Sequence, residues 1–471
     1  MHSKNILLKI IVLLVYISLS WSASTADNLK KKVQDLIYAT GEDLNIGVYV
    51  ENLDTKEVKL AIHPDRKFIP ASNTKLFTAY AALDYLGKDF QFKTIVLCDK
   101  DINKDRSIDG NLYIKFSGDP TLSYANLENM IKSLNISTIK GDVILDKTIF
   151  DEHTTSPGGF TWDDHPFCYA APKSAIIINN NCSEATMLPH KQHSNIAELK
   201  IEDSWVLKIT NNVQTVKPKK EECPYKSRYL GDNHYEVYGC MLLTEKPVRL
   251  NFSVPDNKLM ARWYIEKILK TQNIKLLGEI KFAQASGKKI LYVHKSTNLE
   301  TLLIPVMQDS MNLASASLFN YMGHKHTGNQ GSDEAGEKMM KMFLKNKGID
   351  QAIRIRDGSG ETNHNLVTPR SLVQLLHNVY ASKKNRSMFI KALPVCGGEG
   401  TLKYRDVGRK HNQHIHAKTG SSSKVSSISG YYLPGGGKAR YVFSIMSNNH
   451  TLGYQRIKEL EDQILRLILE N

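Results

Sequence analysis

Pro70-Ala71-Ser72-Asn73-Thr74-Lys75-Leu76-Phe77-Thr78 is the stretch on which the reading of this chain turns. From Lys75 to Leu86 the residues Leu76, Ala79, Tyr80 and Leu83 recur at helical spacing, and Gly87 is a natural stop. Ser72 therefore sits at the first turn of a buried helix. Lys75 lies one turn on, on the same face, which brings a hydroxyl and an amine together. Two further strings follow in order, Ser310-Met311-Asn312 and Lys418-Thr419-Gly420. Each is cheap alone. In this order and setting they supply a nucleophile, a base, a proton relay and a cationic anchor.

A serine hydroxyl attacks poorly unless a neighbour removes its proton. Lys75 can do so only when neutral, so its pKa must fall from near 10.4 by roughly three units, a cost of about 4 kcal/mol. Partial burial and a second cation can supply that shift, and Lys418 is the second cation expected. Ile415-His416-Ala417 reads as a strand edge leading into Lys418. Gly420 would admit a substrate backbone closely, while Lys418 and Thr419 bind its carboxylate. Ser310 would relay a proton to a leaving amine and the Asn312 amide would hold the substrate.

The chain has 471 residues, enough for two or three domains. Residues 1–26 read as a secretory signal peptide. Lys4 and Lys9 precede the apolar run Ile10–Ile17, and small residues follow at Ser22, Ala23, Ser24 and Ala26. The run is short for a spanning helix, which counts against an uncleaved anchor. The six cysteines all follow it, an even number that in an exported protein favours disulfides over metal thiolates. Cys168/Cys182 and Cys223/Cys240 are the expected bridges, while Cys98 and Cys396 stay open. The net charge of +14 favours anionic surfaces, and export argues against nucleic acid, leaving an acidic wall polymer or lipid headgroups.

The helical periodicity before Gly41, the strand-like runs 45–51 and 57–63, and the serine helix form one block. Between about 93 and 293 short β-rich runs alternate with Gly, Pro and Asn turns, around one clear helix at 258–272. After Leu299 helical patterning resumes. A hairpin across 428–447 and an amphipathic helix over 454–469 close the chain. The expected class is α+β. A discontinuous catalytic domain, 27–92 plus 294–471, combines an antiparallel sheet with helices around a β-rich insert, 93–293, of one or two subdomains.

The three strings resemble those of the active-serine penicillin-recognising enzymes. The wider chain is similar to the D-alanyl-D-alanine carboxypeptidase/endopeptidase branch, the class C low-molecular-mass or penicillin-binding protein 4 type. Phe116-Ser117-Gly118-Asp119-Pro120-Thr121-Leu122, Cys168-Tyr169-Ala170-Ala171-Pro172, and Asp357-Gly358-Ser359-Gly360 with His364-Asn365 look like that branch's other marker strings. The resemblance implies a β-lactamase-like catalytic domain. It implies Ser72 as nucleophile, Lys75 as base, Ser310 and Asn312 as relay pair, and Lys418 and Thr419 as carboxylate clamp. The oxyanion hole would be the amides of Ser72 and Ser422. Asp164, beside Trp162, resembles an insert carboxylate that contacts the diamino acid of the substrate. Two positions depart from the pattern: Met311 in the second string, and Asn363 where relatives carry an arginine that bears on specificity.

Other signals weigh less. His411, His414 and His416 read as a loop and strand before Lys418. The acidic run Asp99, Asp101, Asn103, Asp105 has Lys104 where a calcium loop needs Gly, and Gly110 where it needs Glu. Glu361-x-x-x-Asn365 is similar in form to the deacylating glutamate motif of class A β-lactamases, but falls inside the Asp-Gly-Ser-Gly segment. The terminal helix would pack on the sheet, with at most peripheral membrane contact. The expectation is an exported, periplasmic serine D,D-peptidase needing no metal or organic cofactor. It would act on peptidoglycan stem peptides and be acylated by β-lactams. A β-lactamase or esterase with the same nucleophile and a non-catalytic wall-binding protein are the rivals. Oligomeric state and the choice between carboxypeptidase and endopeptidase stay open.

Overall fold

In the computed structural model the described residues are 27–151, 164–192, 195–202, 204–217, 223–435 and 440–471. The expected signal peptide, 1–26, and Trp162 lie outside them. A five-stranded sheet has the order Ile415–Ser422, Val425–Tyr432, Tyr441–Asn448, Asn45–Asn52, Val58–Ile62. Every pairing in it is antiparallel. The early strand Asn45–Asn52 pairs with Tyr441–Asn448, so the two ends of the sequence share one sheet.

Both faces of this sheet are covered, which is why its central strands are buried almost throughout. Alternation along Asn45–Asn52 sends Val48 and Val50 into one core with Ile428, Ile445, Leu460 and Ile464. It sends Tyr49 into the other, with Leu76, Phe77, Leu372 and Leu376. Burial of each such side chain contributes roughly 1.5–3 kcal/mol, so both helical layers are held firmly. The terminal helix Tyr454–Glu470 commits Ile457, Leu460, Ile464 and Ile468 to the first core, as its stripe predicts. Among the described residues no helix is long and apolar enough to cross a membrane.

The helix Thr74–Tyr85 has ten buried residues and is entered through a tight turn at Ala71–Asn73. The expected helices after Leu299 are present as Leu299–Gln308, Asn312–Thr327, Asp333–Asn346 and Pro369–Ala381. Sequence periodicity missed two: Tyr124–Lys132, whose Ser123 cap accepts from Asn126 N–H, and Arg386–Ala392, too short to show a period.

The middle of the chain begins and ends on adjacent strands, since Lys93–Cys98 pairs with Lys289–Lys295. These belong to a second five-stranded sheet with Leu112–Lys115, Val143–Asp146 and Ile280–Phe282. Among the described residues three three-stranded sheets accompany it, one built on Lys208–Val216, one on Cys182–Leu188 and a small one on Thr138–Ile139. Disulfides join Cys168 to Cys182 and Cys223 to Cys240, while Cys98 and Cys396 are free and buried. The carboxylates of the acidic run are taken up by neighbouring side chains, Asp101 by Lys289 among them. Asp99 accepts from Tyr113 Oη at 2.8 Å, and Asp105 accepts from Ser107 Oγ at 2.8 Å.

Candidate active site

The serine turn is locked from three sides. Asn73 Nδ2 donates to Ser427 Oγ at 2.7 Å and to the Lys418 carbonyl at 3.2 Å. Ser427 Oγ donates to Pro70 O at 2.9 Å, and Thr74 Oγ1 donates to Ala71 O at 2.8 Å. Ala71 has φ +45°, a left-handed conformation that costs a side-chain-bearing residue energy and persists only where surroundings enforce it. Gly420 and Gly360 press on the same turn. A Cβ on Gly420 would stand 2.5 Å from Pro70 O, and one on Gly360 1.9 Å from Ala71 O. Any side chain there would push the serine turn out of place.

Lys75 is fully buried, and its Nζ donates to Ser72 Oγ at 2.8 Å, to Asn312 Oδ1 at 2.6 Å and to the Ser359 carbonyl at 2.6 Å. Burial pushes Lys75 down to about 8, against the pull of the Glu361 and Asp357 carboxylates. Of the two expected causes, burial is the main one for Lys75. Lys418 is the nearby second cation, held well below the ordinary lysine value by burial first and Lys75 second, and like-charge repulsion between two ammonium groups acts on both. Lys418 Nζ donates to Ser310 Oγ at 3.0 Å and to the Thr419 carbonyl at 2.8 Å. Ser310 itself has φ +61°, a second enforced conformation in the site.

The structure thus brings Ser72, Lys75, Ser310, Asn312, Lys418, Thr419 and Gly420 together. Ser422 is different. Cys396 N–H donates to Ile415 O, and Ala417 N–H donates to Pro394 O, so these odd-numbered residues turn their main chain to the strand's outer edge. Alternation then directs Thr419 and Ser421 outward and Ser422 toward the neighbouring strand. Ser421, which lines the Ser72 cavity, replaces Ser422 as the available edge amide. The sequence reading placed the donor one residue too far along the strand.

Asp164 joins the site at one remove. Its Oδ1 accepts from Tyr169 Oη at 2.7 Å, and the Tyr169 carbonyl accepts from Asn312 Nδ2 at 2.9 Å. His411 and His414 pack their rings on Tyr432, away from the serine.

Sequence reasoning passed over the layer behind Lys75. Asp357 is buried and accepts from Gly360 N–H at 2.7 Å, Asn365 Nδ2 at 2.7 Å and Ser359 Oγ at 3.1 Å. Burial raises its pKa, but Lys173 and these donors outweigh burial and hold it below the ordinary value. Lys173, also buried, pairs with Asp333 at 3.0 Å and with Asp357 at 3.9 Å. Ser359 Oγ also stands 3.0 Å from the Glu361 carboxyl group. Burial, countered by Lys173, raised further by Asp357 and lowered by Lys75, leaves Glu361 at about 7. The Asp-Gly-Ser-Gly segment thus presents one carbonyl and two carboxyl groups to the lysine's side of the site. Its signal in the sequence was the marker string itself, read only as a resemblance.

Residues 28–470 match the D-Ala-D-Ala carboxypeptidase 3 (S13) family. The chain belongs to that family. As an S13 protein it is similar to D-alanyl-D-alanine carboxypeptidase DacB of Haemophilus influenzae, 28% identical over 447 residues, 93% of this chain and 92% of that one. The crystal structure of penicillin binding protein 4 from Haemophilus influenzae superposes with a TM-score of 0.83 at 28% identity, covering 93% of this chain and 98% of that one. The same protein complexed with a β-lactam matches with a TM-score of 0.79 at 26% identity, over the same shares. The α+β fold and the penicillin-binding resemblance of this S13 chain are those expected from its sequence.

Proposed function

We propose that this chain is an exported serine D,D-peptidase that hydrolyses D-Ala-D-Ala termini or D-Ala crosslinks of peptidoglycan through an acyl-enzyme on Ser72. The observation that carries the reading is the 2.8 Å contact between Ser72 Oγ and Lys75 Nζ, with the lysine buried and its pKa depressed to about 8. A useful fraction of Lys75 is then neutral near pH 7, and it takes the serine proton as Oγ attacks the carbonyl carbon. The amides of Ser72 and Ser421 receive the developing oxyanion. Ser310, bonded to Lys418, passes a proton to the departing amine, while Lys418 and Thr419 hold the carboxylate of the leaving residue. Water then cleaves the ester and restores Ser72. Asn312 holds the acyl part of the substrate, and Asp164 with Tyr169 borders that side. No metal or organic cofactor enters this chemistry. Residues 1–26 act as the export signal, and the disulfides suit a periplasmic location. The basic surface suits an anionic wall.

The test is labelling of the mature protein with a fluorescent penicillin beside Ser72→Ala, followed over time on a denaturing gel. A lasting band that disappears in the variant is expected. Intact antibiotic with no band would overturn the peptidase and favour a wall-binding protein. Hydrolysed antibiotic with no band would point to a β-lactamase.

A further inference from the structure

Tyr169 faces two ways. Its carbonyl accepts from Asn312 Nδ2 at 2.9 Å, on the acyl side of Ser72. Its ring is 52% exposed and stacks on Phe167, itself 42% exposed, with ring centres 5.3 Å apart and planes 8° from parallel. The cavity beside Asn312, of about 710 Å³, shares Cys168, Tyr169 and Asn251 with a groove of about 930 Å³ in the insert. An acyl chain that passes Asn312 is therefore led over Tyr169 into that groove.

The groove lies where two sheets of the insert meet, with Lys226–Gly231 and His234–Leu242 on one side and Val248–Ser253 on the other. Tyr235 Oη reaches across between these sheets to Ser253 O at 2.9 Å. Both disulfides brace its walls. Cys168, between Phe167 and Tyr169, is tied to Cys182, and Cys223–Cys240 ties the chain before Tyr225 to the strand that carries Tyr238. Walls fixed in this way lose little freedom when a ligand binds.

Tyr225, Tyr229 and Tyr238 join Phe167 and Tyr169 in the lining, a cluster of rings too large for bare surface. The polar lining comes from Lys226, Arg228, Arg249 and Asn251, and among the described residues it includes no carboxylate. Arg228 Nε donates to Glu236 at 2.6 Å, and its guanidinium lies 5.5 Å from the centre of the Tyr238 ring. Flat aromatic faces suit the C–H faces of pyranose rings. Tyrosine hydroxyls, Lys226 and Arg249 donate to the hydroxyl and acetamido oxygens of an amino sugar.

We propose that this groove binds the N-acetylated amino-sugar strand from which the stem peptide hangs, a saccharide site separate from the catalytic cleft. The proposal rests on the peptidoglycan reading above and deepens it. The stem lies along the cavity beside Asn312, and the sugars to which it is joined lie on Phe167 and Tyr238. The insert thus holds the strand while the catalytic domain cuts the peptide.

The experiment has two readouts on the mature wild type and on the double variant Tyr238→Ala with Arg249→Ala. Calorimetry follows binding of a peptide-free glycan tetrasaccharide. Steady-state kinetics compare kcat/KM on a pentapeptide carried by a disaccharide with kcat/KM on the free pentapeptide. The wild type should bind the tetrasaccharide, and the double variant about tenfold more weakly. The ratio of the two kcat/KM values should fall by about tenfold through KM, with the free pentapeptide unaffected. Penicillin acylation rates report that the variant is folded. A wild type that does not bind the tetrasaccharide overturns the proposal, as does binding that the double variant retains. An equal loss on both substrates overturns it too, and so does equal binding of dextran sulfate, the mark of an unspecific basic surface. Tetrasaccharide binding by a wild type that takes no penicillin would overturn the Ser72 reading and leave the saccharide site standing.

Discussion

Lys75 Nζ lies 2.8 Å from Ser72 Oγ, yet the lysine has no solvent exposure, so the amine meets water only through the site it serves. Replacing Lys75 by Arg keeps the cation and removes the ability to accept a proton. Penicillin acylation should fall by about 10²–10⁴-fold, the usual worth of a positioned general base. Stopped-flow acylation rates against the wild type check this, with unfolding midpoints to show that the variant folds.

Glu361 opposes the lysine it faces. An ionised Glu361 favours the Lys75 ammonium, so removing that charge lowers the Lys75 pKa. Lys173, Asp357 and Tyr169 are the other titratable groups that feel Glu361. In Glu361→Gln the rising limb of the acylation pH profile, near 8 in the wild type, should move to lower pH. The rate at pH 7 should rise by about two- to fivefold. A limb that stays in place would show that Glu361 does not tune the base.

Asp357 is the keystone behind the serine turn, and Asp357→Ala takes from the buried Lys173 one of the carboxylates that face it. The expected cost is about 3–5 kcal/mol, read as a lower denaturant midpoint. The sign with pH follows from a folded-state pKa held below the ordinary 3.8. Its stabilisation is present above the ordinary value and lost as pH falls through the folded one. Wild type and variant should therefore converge in stability only in strong acid.

The Cys168–Cys182 bridge encloses a separation of 14 residues and fixes the segment whose Tyr169 carbonyl holds Asn312. Replacing both cysteines by serine should cost about 3 kcal/mol. It should also raise KM for peptide more than it lowers kcat, because Asn312 loses its orienting partner. Steady-state kinetics on a pentapeptide separate the two.

Much of this site was legible because its chemistry is carried by short local strings on regular elements. The helical period from Leu76 to Leu83 placed Ser72 and Lys75 on one face, and the hairpin pattern placed Lys418 on a strand. What escaped the sequence depends on tertiary placement. Whether Ser421 or Ser422 presents its amide is decided by which edge of the strand faces out, a fact set by Cys396 and Pro394. The joint burial of Lys173, Asp333 and Asp357 unites residues from three separate stretches, and nothing local marks them as partners. The short helix Arg386–Ala392 escaped because less than two turns cannot display a period.

The pairing of Asn45–Asn52 with Tyr441–Asn448 has a consequence for the life of the chain. Ser72 emerges early in synthesis, but the strand that carries Lys418 and the one that seats it arrive almost last. Until then the serine has no anchor, no edge amide and no closed sheet, and loop closure over such a span is slow. A nascent or truncated chain is therefore silent toward bonds it will later cut. The polypeptide carries its own safety catch, released only when its tail reaches its head.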